Sequence, residues 1–144
     1  METTDYCSYE LSKALKAAGF DEPCDHYYTK EDAPNEAAWI VPTTHGENFN
    51  AKSDRWFRCS APTLAHAQKW LREKWGMHVD ACVFSDYSTD ADGNVCDRWD
   101  FWGFDLYAVV GGEKMIDGDG EYDSYEQALS AGISAALELI KKGE

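Results

Sequence analysis

Two stretches, Met77 to Tyr87 and Arg98 to Val110, read as long β-strands flanking a turn, and this pairing narrows the fold more than any other feature. In the first, Met77, Val79, Ala81 and Val83 alternate with His78, Asp80, Cys82 and Phe84, the period of two that a strand imposes. Phe84 interrupts the polar side, so both faces are partly covered. The second carries Trp99, Phe101, Trp102, Phe104, Leu106, Tyr107, Val109 and Val110, a density that suits a central strand. Asp92-Gly93-Asn94 in the connecting segment is a turn signal, because glycine and asparagine tolerate the backbone that tight turns require. A long antiparallel hairpin follows.

Three helices are expected around it. Ser8 can cap a helix running to about Ala18, with Leu11, Ala14, Leu15 and Ala18 on one face; Gly19 ends it and Phe20 folds back onto the core. Ser60-Ala61-Pro62-Thr63 starts a second helix, Leu64 to Trp75, which Gly76 stops. Its core stripe is read as Leu64, Ala67, Leu71 and Trp75, with Trp70 on the edge. Ser124 and Gln127 form a capping box for the third, whose apolar stripe runs from Tyr125 through Leu129, Ile133 and Leu137 to Ile140.

Residues 21–54 are less regular. His26 to Thr29 and Ala38 to Val41 read as short strands, with Pro23, Pro34 and Pro42 breaking the segments around them. Thr43 to Lys52 reads as a loop, and Arg55 to Cys59 as a third short strand. Gly111-Gly112 and Asp117-Gly118-Asp119-Gly120 mark further turns. The expected fold is α+β: about three helices packed on an antiparallel sheet of four or five strands, with the 77–110 hairpin at its centre and one domain spanning residues 1–144.

With 144 residues and 44% hydrophobic side chains, such a domain can bury a core without a disulfide or metal. No apolar run approaches the ~18 residues of a membrane helix, and the acidic N-terminus is not a secretory signal. Five irregularly spaced cysteines, Cys7, Cys24, Cys59, Cys82 and Cys96, fit reduced thiols in a cytoplasm. The formal charge is −14, and its distribution is uneven. Lys52, Arg55, Arg58, Lys69, Arg72 and Lys74 make residues 51–76 net basic within an acidic chain. The overall field disfavours nucleic-acid phosphate and favours a protein partner.

Ser8 to Cys24, then Ser60 to Thr63 leading into Lys69-Trp70-Leu71-Arg72-Glu73-Lys74, then Tyr122 to Leu129 together resemble a group of small proteins of gut Bacteroidales and their phages. The matching segments cover about half the chain. No activity is established for that group, so no site residue carries over. The resemblance implies a cytoplasmic setting and a link to mobile elements.

Three constellations bear on chemistry. Asp86, Ser88, Asp90, Asp92 and Asp97 have the alternating oxygens of a calcium loop, but Ala91 stands where such a loop needs glycine. Solvated hairpin tips explain them, and no metal or cofactor is assigned. Cys24 and His26 are the one close thiol–imidazole pair and support a small cysteine enzyme as an alternative. No catalytic motif accompanies them. Arg55, Trp56, Arg58, Lys69, Trp70 and Arg72 mix indole with guanidinium and ammonium groups, as protein interfaces do; Trp39 is a further candidate for an exposed aromatic. The leading expectation is a non-enzymatic protein-binding or regulatory module with an acidic surface. The runner-up is an anti-defence inhibitor that mimics nucleic-acid charge.

Overall fold

The structure is a computed structural model and describes residues 5–29, 39–48, 50, 59–108 and 114–142. The chain is α+β, with helices α1 (Tyr9–Ala17), α2 (Leu64–Trp70) and α3 (Tyr125–Lys142). The strands are β1 (Cys24–Thr29), β2 (Trp39–Glu47), β3 (Cys59–Ser60), β4 (Met77–Thr89), β5 (Val95–Ala108) and β6 (Lys114–Tyr122). Among the described residues they form two antiparallel sheets of three strands, in the orders β2-β1-β3 and β4-β5-β6, rather than the single sheet of four or five expected. One contact helps to explain the separation. The Gln68 carboxamide, on α2, donates to the Val79 carbonyl at 2.7 Å. That outward-facing carbonyl on the β4 edge is taken by a side chain, so no strand from the first sheet is needed to satisfy it.

The helix caps follow the residue chemistry. Ser8 Oγ accepts from Leu11 N–H at 3.1 Å, and Phe20 N–H donates back to the Leu15 carbonyl at 2.9 Å past Gly19, whose φ is +96°. Thr63 Oγ1 accepts from His66 N–H to open α2. Ser124 Oγ accepts from Gln127 N–H while Gln127 Oε1 accepts from Asp123 N–H, so the capping box reaches one residue further back than expected.

α2 passes into one π-turn, Leu71–Trp75, before Gly76 ends it at φ +66°. The buried stripe is Leu64, Ala67, Trp70 and Leu71. The wider π-turn carries Trp75 off that stripe, leaving it 37% exposed, while Trp70 is only 3% exposed. The expected ranking of the two indoles is therefore reversed.

Two turn readings also change. β2 runs through Pro42 to Glu47, where a break and a loop were expected. It is an edge strand, where proline's missing N–H need cost no ladder bond. Asp117 to Gly120 lies inside β6, whose pairing with β5 shifts register between Trp102, Phe104 and Leu106. The turn-forming residues supply these bulges, with Gly120 at φ +90°. Gly111-Gly112 lies outside the described residues.

The core joins Leu11 and Leu15 of α1 with Leu64, Ala67, Trp70 and Leu71 of the second helical segment, Val79 and Leu106 of the second sheet, and Leu129, Ile133, Ala136, Leu137 and Ile140 of α3. α3 lies close against the β4–β5 ladder at Gly132, where an added Cβ would clash with Val79 and press on Phe104.

Candidate functional site

Of the residues expected to form an aromatic–basic contact, Arg55, Trp56 and Arg58 lie outside the described residues, as does the side chain of Trp39. Lys69 is exposed, with its ammonium 3.9 Å from the Glu73 carboxylate, and Arg72 is half-buried. Trp70 does not join them at the surface. Its position three residues after Ala67 turns the indole inward, where it meets Phe20 edge-on with ring centroids 5.3 Å apart. Among the described residues, α2 and its π-turn therefore offer the cations Lys69 and Arg72 without the Trp70 indole beside them, and the exposed indole of the segment is Trp75.

Cys24 opens β1 and is buried, with its thiol 3.6 Å from the Glu22 carbonyl. Burial pushes that thiol up to about 12 from an ordinary 9.0. A nucleophile needs the thiolate, and this environment favours the neutral thiol. The His26 ring lies 4.5 Å from Tyr6, and its Nδ1 is buried with no hydrogen-bond partner among the described residues. Nearby, His66 Nε2 stands 2.6 Å from the Glu22 carboxylate, beside a hollow of about 190 Å³ that Tyr6, Cys24, Asp25 and Thr63 help to line.

The oxygen-rich β4–β5 tip uses its ligands on itself. Asp90 Oδ1 accepts from the N–H groups of Asp92 and Asn94, both at 2.9 Å, and Gly93 closes the turn at φ +86°. The backbone bond from Asn94 is the main reason the Asp90 carboxyl falls below its ordinary range. Asp86 likewise accepts from Tyr87 N–H at 2.8 Å.

Register brings together two groups that the linear sequence separates. Asp80 faces Asp105 across the ladder, with Cys82 beside them, and one potential ligand atom from each lies within 4.8 Å of the others. Asp105 is buried and accepts from the Tyr107 hydroxyl at 3.3 Å. Strand alternation places Asp80 and Cys82 on one face, but their neighbour on β5 becomes evident only once the pairing register is known.

The second group is larger. β6 ends at Tyr122, opposite Trp102, while β4 and β5 continue to Thr89 and Val95. Among the described residues, the hairpin thus projects beyond its third strand as a two-stranded arm. Val83, Tyr87, Val95 and Trp99 on this arm are between 44% and 62% exposed. Phe84 and Phe101 stack across it, with ring centroids 5.8 Å apart. Residues 83–102 carry five aspartates and a single basic residue, Arg98. The Arg98 Nε lies 3.8 Å from Asp100, which also accepts from the Ser85 hydroxyl. Where the arm leaves the three-stranded part, an open hollow of about 520 Å³ is lined by residues that include Asp100, Phe101, Trp102, Glu121, Tyr122 and Asp123. Apolar and acidic residues in the 83–102 segment were legible as types, but their exposure depends on where β6 stops.

Among the described residues no helix is long and apolar enough to cross a membrane. Comparison with protein-family models, with curated proteins and with solved structures finds no match to this chain.

Proposed function

We propose that the chain is a non-enzymatic protein-binding module of a reducing, cytoplasmic compartment, and that the acidic arm of its β4–β5 hairpin is the surface that engages a basic protein. One observation carries this reading. Val83, Tyr87, Val95 and Trp99 stand exposed on a sheet arm that also bears Asp86, Asp90, Asp92, Asp97 and Asp100. Apolar and aromatic side chains supply contact area when water is excluded, and surrounding carboxylates steer a basic partner and reject acidic ones. Five unbridged cysteines accord with the compartment. Lys69 on α2 and Arg72 in the π-turn that follows form a second candidate contact.

A second reading gives the same surface a more specific task, imitation of nucleic-acid phosphate on a protein that handles nucleic acid. Carboxylates distributed along both strands of the arm favour it.

The test is affinity capture with and without nuclease, followed by titration of the purified partner at rising salt. The expected result is a direct protein partner that survives nuclease and binds more weakly as salt rises. Capture of nothing, or only of proteins held through nucleic acid, overturns the reading. Competition by duplex DNA for the same partner selects the charge-mimic form.

A further inference from the structure

We infer that the edge of β5 over residues 98–101, which β6 leaves uncovered, accepts an added β-strand from a basic partner, and that the hollow beside it receives an arginine or lysine side chain of that strand. The inference rests on the protein-binding reading and gives it a place and a chemistry.

The backbone supplies the first part. In an antiparallel ladder, alternate residues turn both N–H and C=O to the same side. β5 pairs with β4 through residues 95–108, but its pairing with β6 stops at Trp102. Alternate residues from 98 to 101 therefore direct donors and acceptors toward a side that holds no strand among the described residues. An uncovered edge of this kind is a template for another chain, and peptide recognition by strand addition uses it.

The side chains supply the second part. Asp100 and Phe101 belong to the uncovered edge, while Glu121, Tyr122 and Asp123 lie where β6 ends. A strand continuing the line of β6 would run past this hollow. Three acidic residues line this open space, with Trp102 and Tyr122 paired at its rim, and together they form an environment for a cation: carboxylates attract it, and an indole or phenol ring holds its flat or apolar parts. Arginine suits the site best, because a guanidinium can both bridge carboxylates and stack. The chain already displays this chemistry at a lower level, with Arg98 3.8 Å from Asp100.

Charge decides the occupant. Many exposed edges are guarded by lysine; this one is guarded by aspartate, which repels acidic strands and admits basic ones. A second copy would bring another arm with five aspartates and one arginine against the first, which disfavours pairing between arms.

The experiment uses the full chain and a capped peptide alternating arginine with valine, followed by amide NMR. The expected result is shift changes concentrated at residues 97–102 and 120–124, with new exchange protection on alternate amides of residues 98–101. A peptide with glutamate in place of arginine should leave the spectrum unchanged. The double variant Asp100→Asn, Glu121→Gln, checked for folding by its own spectrum, should weaken arginine-peptide binding about fivefold. Shifts spread over every acidic face, shifts confined to the outer edge of β4, or arm shifts that depend only on the chain's own concentration each overturn the inference; the last identifies a second copy as the occupant. A captured natural partner that the peptide cannot displace overturns this site and leaves the protein-binding reading standing. Localised peptide binding by a chain that captures no partner supports the site and overturns that broader reading.

Discussion

Trp102 pairs with Tyr122 at the last rung of the β5–β6 ladder, and beyond that rung the second sheet narrows, among the described residues, from three strands to two. On the core side of the rung, Val79, Phe104 and Leu106 are buried, two of them in the cluster that contains the inner face of α3. On the far side, residues 90–100 are exposed throughout. A two-stranded ribbon without a covering layer is marginally stable in water. Hydrogen–deuterium exchange should therefore divide one continuous hairpin into two regimes. Amides paired between strands in residues 84–88 and 97–101 are expected to exchange at least about a hundredfold faster than those in 79–81 and 103–106. Equal protection along the whole hairpin would show that another layer covers the arm.

The two tryptophans of the second helical segment should respond oppositely to truncation. Trp70→Ala removes an indole packed against Phe20 in the core and is expected to cost about 3–5 kcal/mol of unfolding free energy. Trp75→Ala alters a residue 37% exposed at the π-turn and should cost about 1 kcal/mol or less. Chemical denaturation of the two variants measures both. Similar losses would mean that the π-turn does not displace Trp75 from the buried stripe.

These indoles also mark the limit of what the sequence disclosed. Both terminal helices were legible because caps and stripes are local: Ser8, Gly19, Ser124 and Gln127 act on neighbours within one turn. The long hairpin was legible because alternation and the Asp-Gly-Asn turn agree. The division into two sheets was not, since strand order depends on contacts between segments far apart in the chain, such as Gln68 with the Val79 carbonyl of β4. Asp117 to Gly120 read as a turn because bulges and turns draw on the same residues. The exposed arm was not legible for a related reason. Its residue types were plain, but their exposure is set by the end of β6, a distant event in the chain.

Gly132 offers a sharp test of helix–sheet contact. Alanine there would gain about 1 kcal/mol of helix propensity in isolation. In this fold its Cβ would meet Val79 Cγ1 and the Phe104 ring, both buried and unable to withdraw into solvent. Overpacking of this kind costs about 1–3 kcal/mol, so Gly132→Ala is expected to lower stability despite its better propensity. Thermal unfolding should show a lower Tm than for the parent chain. A higher Tm would mean that α3 stands further from the sheet than Gly132 implies.

The buried thiols set the behaviour at alkaline pH. Burial raises Cys24 to about 12 and Cys59 to about 11 from an ordinary 9.0, and raises Cys7 as well. Tyr28 shifts upward for the same leading reason. A folded-state value above the unfolded one means that folding favours the protonated form. The corresponding stability is complete below pH 9.0 and is lost as pH rises through the folded values toward 12. The midpoint of denaturant unfolding should therefore fall steadily above pH 9, and Cys24→Ala should flatten part of that fall. Thiol labelling gives an independent reading near neutral pH. Cys96 is exposed and should react promptly, whereas Cys24 should react only as fast as the chain unfolds. Prompt labelling of Cys24 in the folded chain would overturn its assignment to the core and restore the chemical basis for a cysteine nucleophile beside His26.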